Sequence, residues 1–478
     1  MISFVLSILA LILGYIFYGA LVEKIFGANP DRKTPALTMT DGVDYVPMKW
    51  PCIFLIQFLN IAGLGPIFGA VAGAMWGPVA FLWIVIGCIF AGGVHDYISG
   101  MLSIRHDGLS IPEIVGKYLG NGFKQFMRVF TVMLMLLVGA VFVIGPASIL
   151  DGILSMGIPF WTTCVFVYYI LATLLPIDKL IGRIYPIFGF ALLFMAVGIM
   201  GCLFFGNYTI PEIIPYGFKN MHYDAGKFPI YPLVFITIAC GAISGFHSTQ
   251  SPLMARCITN EKLGRRVFYG AMITEGIVAL IWAAAGMAFY KGVGPLNQVM
   301  LDHNNNAAWI VNNISNSMLG KWGGILALLG VVAAPITSGD TAFRGARLII
   351  ADFMKLKQAS ILKRLYITIP LFVIGFLITQ VDFGIIWRYM AWSNQTLATI
   401  VLWAVTIYMM NERKPYIITL IPAVFMTAVI STYIMVAPEG FRLPQNVSII
   451  TGIIITAIIT TFFLRTALLV KRTAGIQV

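Results

Sequence analysis

The stretch Asn60-Ile-Ala-Gly-Leu-Gly-Pro66 lies in the middle of an apolar segment and breaks it. A second stretch, Gly241-Ala-Ile-Ser-Gly245-Phe-His247-Ser-Thr-Gln-Ser-Pro252, breaks another. Glycine and proline at this density stop an α-helix, through backbone entropy and a missing N–H. In lipid, the freed backbone groups must find partners inside the protein or line a wet cavity. Two interrupted segments at corresponding places in two halves of a chain point to the binding site of a secondary transporter.

Composition places the chain in the membrane. Of 478 residues, 59% are hydrophobic and 10% charged, and mean hydropathy is +0.90. A soluble domain carries roughly 25% charged residues. Apolar runs near 20 residues long recur along the chain, as bilayer crossing requires. The spans read 2–22, 52–75, 79–102, 124–146, 160–176, 184–205, 230–250, 267–290, 321–337 (continuing to about 353), 365–382, 385–408, 415–437 and 447–470. The expected fold is therefore all-α and polytopic, with about 13 transmembrane helices. The first segment lacks a basic leader and a small-x-small cleavage site, and reads as a retained helix.

The net charge of +12 follows the positive-inside rule. Twenty-five of the 31 basic residues fall in every second connection, beginning with Lys24, Arg32, Lys33 and Lys49. Five (Lys219, Lys227, Lys291, Lys321 and Arg442) fall on the other side, and Arg388 lies near the outer end of a span. This split predicts an outside N-terminus, a cytoplasmic C-terminus and a multi-pass plasma-membrane location. No contiguous basic face for nucleic acid is present. The six cysteines show no C-x-x-C and no pair in an outer connection, so they read as small apolar side chains. Trp309, Trp322, Trp387 and Trp392 fit an outer aromatic belt.

With the first span set aside, the broken segments become core helices 1 and 6. Their opposite entry directions predict a LeuT-like 5+5 inverted repeat. The organisation is an extra N-terminal helix and cytoplasmic loop (1–51), a first repeat (52–205), a second repeat (206–408) and two C-terminal helices (409–478). Outer connections fall at 206–229 and 291–320, the latter with a short surface helix from Ala307 to Met318. Ser110-Ile-Pro-Glu113 is an N-capping signature for an amphipathic helix over 111–120.

Candidate chemistry gathers at the breaks. Gly63 and Gly65 allow close approach of a ligand, and Pro66 suits the first turn of a half-helix whose N-terminus attracts a carboxylate. Asn60 stands one turn earlier. Ser244, Gly245 and His247 give the second break unusual polarity. An intramembrane histidine is either a proton relay or a neutral partner for a freed carbonyl. In core helix 8, Thr337, Ser338 and Asp340 offer oxygen ligands to a coupling ion, Na+ or H+. Asp340 also has the i, i+4 spacing to pair with Arg344, as an ion pair or inner gate. His95, Asp96 and Arg105 suggest a polar network at the inner end of core helix 2; no metal motif is visible. Glu275, in core helix 7, is a second isolated carboxylate of lesser weight.

The chain resembles the carbon starvation protein A family. The resemblance rests on Thr34-Pro-Ala36, Asp41-Gly-Val-Asp-Tyr-Val-Pro47, Ile61-Ala-Gly-Leu-Gly-Pro66, Asp96 with Arg105 and Gly108, Gly241-Ala-Ile-Ser-Gly-Phe-His247 and Thr337-Ser-Gly-Asp340. They span roughly residues 15 to 350. The family is similar to the wider amino acid/polyamine/organocation superfamily. The resemblance implies a secondary importer of peptides, linked to carbon starvation, or a proton-coupled symporter of pyruvate or a similar carboxylate. The Asp41–Pro47 motif, in the first inner connection, reads as gating or structural. No cofactor is implied beyond a bound Na+ or coupled H+, and the partners are the substrate and membrane lipids. A membrane sensor would need a signalling domain, and an intramembrane enzyme a nucleophile–base pair; the sequence offers neither, so no enzymatic activity is expected.

Overall fold

A computed structural model describes the backbone of residues 1–42, 44–174, 177–356 and 360–475. Side chains are described for these residues except 153, 174, 177–184, 321–325, 327–328 and 467–475. Lys179, Arg183, Lys321, Trp322, Lys357, Lys471 and Arg472, used in the charge and belt readings, lie outside the described side chains.

Among the described residues the fold is helical throughout, with no strand. In chain order the helices that matter here are α1 (Ile2–Phe26), α2 (Trp50–Ile61), α3 (Gly65–Trp76) and α4 (Val79–Arg105). The short α5 (Ile111–Leu119), then α6 (Asn121–Leu154), α7 (Ile158–Leu174) and α8 (Ile177–Phe205) follow. Next come α9 (Ile230–Thr237), α10 (Gly245–Ala255), α11 (Glu261–Phe289), α12 (Val293–Asp302) and α13 (Ala307–Ala327). The chain closes with α14 (Ala333–Met354), α15 (Ile361–Ile378), α16 (Phe383–Asn411), α17 (Ile417–Val436) and α18 (Gln445–Gly475).

Eight described helices are long and apolar enough to cross a membrane, or nine if the bent pair α2–α3 is one span. This is fewer than the 13 read from sequence. The difference has physical causes. The span expected at 230–250 is split into α9 and α10, each too short to cross alone. The span expected at 160–176 is a shorter apolar helix. The short helix expected over Ala307–Met318 is present: Gly320, with non-helical backbone at φ 58°, separates it from the helical stretch that follows. The capping signature is also only half realised. Ser110 takes the N-cap position with extended backbone, but its hydroxyl caps nothing. Glu113 turns away to ion-pair with Lys124 and Arg128, both at 2.5 Å.

Polar residues gather inside among buried aromatic side chains such as Trp282 and Phe246, while many large apolar side chains also face outward. His95, Asp96, His247 and Glu275 are fully buried, whereas α18 presents Ile450, Ile454, Ile458 and Phe462 in an exposed i, i+4 stripe. The exposed apolar stripe suits a helix bundle in lipid, where packing between helices relies on small residues. Phe343 of α14 fills the space a Cβ would need at Gly139 of α6 and Gly375 of α15. These close contacts clamp α6, α14 and α15 together.

Candidate functional site

The two breaks meet. Between α2 and α3 the chain unwinds at residues 62–64 and bends by 54°. Between α9 and α10 it unwinds at residues 238–244. A Cβ on Gly65 would sit 2.3 Å from Cys240 Cβ, and one on Gly241 would lie 3.8 Å from Pro66 Cα. Glycine at 65 is therefore demanded by the second break, not by local turn conformation alone. Gly63 faces Phe142 in the same way, at 2.8 Å.

The freed backbone of the second break is satisfied from α16. Asn394 Oδ1 accepts from the Phe246 amide at 2.6 Å and from Ser244 Oγ at 3.1 Å. Gln395 Nε2 donates to the Ile243 carbonyl at 2.8 Å. Gly245 sits so tightly against α16 that a Cβ would lie 2.4 Å from the Asn394 carbonyl oxygen. Asn394 thus does from a neighbouring helix what an N-cap residue does within its own.

His247 does not bond a carbonyl. Its Nδ1 lies 2.8 Å from Asp96 Oδ2, and its Nε2 lies 3.3 Å from Glu275 Oε2. Asp96 Oδ1 in turn meets His95 Nδ1 at 2.8 Å. This joins α4, α10 and α11 in one fully buried chain of four ionisable side chains. The expected grouping of His95 and Asp96 with Arg105 is therefore corrected. Along α4 the His-Asp pair turns towards the second break, while Arg105, more than two turns away, makes a separate latch. There Arg105 Nε and one terminal nitrogen donate to Glu261 at 3.2 Å each, and the other terminal nitrogen donates to Tyr408 Oη at 2.9 Å.

On α14, Ser338 Oγ donates to the Leu59 carbonyl at the end of α2, at 2.9 Å. Thr341 Oγ1 reaches Asn60 Oδ1 at 3.4 Å, and Asn60 Nδ2 is buried without a partner. Thr337 turns back to the Ala334 carbonyl of its own helix. Asp340 accepts from Tyr185 Oη at 2.8 Å and lies 3.9 Å from Arg344, so the i, i+4 pair exists and has a third member. Thr337, Ser338 and Asp340 lie within one turn of α14, but their side chains serve different partners.

A cavity of about 540 Å³ opens at the end where the 206–229 and 291–320 connections lie. Phe68, Ala72 and Thr237 bring it to the flanks of both breaks, and Trp76, Trp387, Asn304–Asn306 and Arg388 line its mouth. At the opposite end, the space beside Thr249, Arg256 and Leu348 is only about 20 Å³, and a separate cavity of about 380 Å³ lies beside Leu109, Glu113 and Asp352. Arg256 lines the smaller space, donating to the Gly108 carbonyl at 3.0 Å and lying over Tyr45, a residue of the Asp41–Pro47 motif.

Glu275, Asn394, Glu261 and Tyr185 were undervalued or missed in the sequence. Glu275 is a lone carboxylate in an apolar helix, and Ser393-Asn394-Gln395-Thr396 is a polar run inside an apolar span; both were visible signals.

A helical membrane protein with two apposed helix breaks beneath a vestibule has the architecture of a transporter. The comparisons agree. The family model described as "Carbon starvation protein CstA" matches residues 1–151 and 143–321, and the chain belongs to that family. It is similar to an uncharacterised membrane protein of Haemophilus influenzae, 48% identical over 61% of this chain and 92% of that protein. The peptide transporter CstA of Bacillus subtilis is 26% identical over 92% of this chain and 90% of its own. The pyruvate/proton symporter BtsT of Escherichia coli is 26% identical over 60% of this chain and 49% of its own. Among solved structures, the manganese transporter of Eremococcus coleocola matches 91% of this chain and 99% of its own, at 13% identity and a TM-score of 0.57.

Proposed function

We propose that the protein is a secondary active transporter that imports peptides across the cytoplasmic membrane in coupling to protons or sodium. The observation that carries this is the apposition of the two breaks beneath a vestibule of about 540 Å³. That volume lies within the roughly 300–1,000 Å³ of small-molecule sites. The similarity to a peptide transporter along nearly the whole of both chains supports the substrate class, and the family's description supports the link to carbon starvation. In this reading the substrate carboxylate approaches Gly63 and Gly65 at the N-terminus of α3, beside Asn60. Ser244, Gly245 and His247 form the opposite wall, and Thr337, Ser338 and Asp340 belong to the coupling machinery. The two halves, 52–205 and 206–408, act as inverted repeats that rock about the site, with the vestibule facing outside and Arg105 and Arg344 at the inner gate.

A second reading, proton-coupled import of pyruvate or a similar small carboxylate, is favoured by the similarity to the pyruvate/proton symporter. Both substrates present a carboxylate to the same half-helix. The test is uptake by the reconstituted protein under an imposed proton or sodium gradient, with dipeptides, tripeptides and pyruvate as competitors. Competition by peptides supports the first reading and competition by pyruvate alone the second. Indifference to every gradient and competitor overturns both.

A further inference from the structure

The His95–Asp96–His247–Glu275 chain contains more charge than its surroundings can satisfy in one protonation state. Both ring nitrogens of His247 face a carboxylate, Asp96 on one side and Glu275 on the other. A neutral imidazole has one N–H and serves one of them; the other carboxylate then faces a lone pair. Only the imidazolium serves both. With His247 positive, both carboxylates ionised and His95 donating its one N–H to Asp96, the cluster carries one net negative charge. No compensating cation is at hand. Among the described residues, the only charges acting on Glu275 are those of His247 and Asp96. The other titratable groups facing the cluster are the thiols Cys88 and Cys240. An uncompensated charge buried at this depth is costly, by several kcal/mol. One added proton removes it.

The geometry also says where that proton goes. Asp96 has both oxygens engaged, one by each histidine. Neither oxygen of Glu275 has a hydrogen-bond partner, although the side chain is fully buried, and its approach to His247 at 3.3 Å is long. Glu275 is the member least committed to its negative form. The same four residues tie separate elements together: His247 is on the half-helix that leaves the second break, Asp96 is on α4, which packs against it, and Glu275 is on α11, which reaches it through His247.

We infer that the Asp96–His247–Glu275 cluster, with His95 behind it, is the coupling site, that it binds a proton rather than sodium, and that Glu275 takes up one proton from outside water per cycle and releases it inside. When Glu275 is neutral, α10 is held by the His247–Asp96 ion pair alone. When Glu275 is ionised, α10 is also pulled towards α11. Protonation thus changes which helix the second break is tied to. This deepens the transporter reading and rests on it, replacing Thr337, Ser338 and Asp340 as the ion site.

The test uses the full chain in proteoliposomes, with dialanine and pyruvate as probes and a trapped pH dye. In wild type, an inward proton gradient drives accumulation and the lumen acidifies with uptake. In Glu275→Gln, gradient-driven accumulation falls roughly tenfold or more, a loss of about 1.4 kcal/mol of coupling. Exchange of labelled for unlabelled probe falls by less and loses its pH dependence. Glu275→Asp, which keeps the carboxyl group, restores acidification with a displaced pH profile. A readout free of transport is the infrared band of a protonated carboxylic acid, expected in wild type at low pH and lost in Glu275→Gln. Undiminished acidification in Glu275→Gln, or accumulation driven by sodium alone, overturns the inference while leaving the transporter reading intact. Failure of wild type to move either probe overturns the transporter reading; the infrared band then still decides whether Glu275 takes a proton.

Discussion

Gly65 is the residue on which the apposition of the breaks depends. A methyl group there would be placed 2.3 Å from Cys240 Cβ, a distance no side chains share, so one of the two breaks must move. We expect Gly65→Ala to cost about 1–3 kcal/mol by overpacking and to reduce uptake severely. The double variant Gly65→Ala/Cys240→Gly should recover part of both, because it removes the colliding atom. A double-mutant cycle of melting temperature and uptake measures this; strict additivity would mean that the two positions do not touch.

His222 supplies a pH dependence at the vestibule mouth. It is packed among Trp76, Tyr223 and Phe228, and its Nδ1 accepts from the Asp224 amide at 3.3 Å. Burial holds its pKa down to about 4. An unfolded histidine takes up a proton below about 6.5. The folded ring resists protonation until about pH 4, so its contribution to stability is complete above about 6.5 and is lost as pH falls from there towards 4. Between pH 7 and 4.5, wild type should therefore lose more thermal stability than His222→Gln, by an amount on the order of 2 kcal/mol. Equal losses would remove His222 from the account.

At the scale of elements, α10 is an eleven-residue helix whose N-terminus lies inside the molecule and is capped from α16. Asn394→Ala removes the acceptor for the Phe246 amide and should cost about 1–2 kcal/mol, as lost caps do. Asn394→Asp keeps an acceptor and should cost less, although it adds a buried charge next to Ser244. Melting temperature orders the three proteins; an Ala variant at least as stable as the Asp variant would show that the cap is not what Asn394 provides.

This element also shows what can and cannot be read from a sequence. The break itself is legible because Gly241 and Gly245 oppose a continuous helix, although Pro252, read as part of it, is accommodated inside α10 and the unwound stretch begins earlier, at residue 238. The inward polarity of Ser244 and His247 was legible for the same reason. Their partners were not. Asp96 lies 151 residues before His247 and Asn394 lies 150 residues after Ser244. No spacing rule connects positions so far apart, and the choice of partner is made by helix packing. For the same reason Glu275 looked like a lone carboxylate, and His95–Asp96 looked as though it belonged with the nearest arginine in sequence.

At the scale of the whole molecule, the vestibule of about 540 Å³ reaches residues flanking both breaks, whereas the cavity of about 380 Å³ at the opposite end is lined by Leu109, Glu113 and Asp352 and by no residue of either break. We propose that the vestibule side is the exterior, as the charge asymmetry of the sequence predicts. We expect Ser148→Cys, on the vestibule wall, to react with a membrane-impermeant maleimide added outside intact cells. A saturating gradient and substrate should slow that reaction as the cycle populates inward-facing states. Labelling seen only from the cytoplasmic side would reverse the orientation.

The mouth lined by Trp76, Trp387 and Arg388 has one more implication. A bulky ligand lodged among those rings would act as a doorstop: it would prevent the bundle from rocking shut without ever reaching the breaks or dissolving in lipid. Blocking this carrier is therefore a matter of shape at the rim, and a molecule too large to be carried is the better starting point.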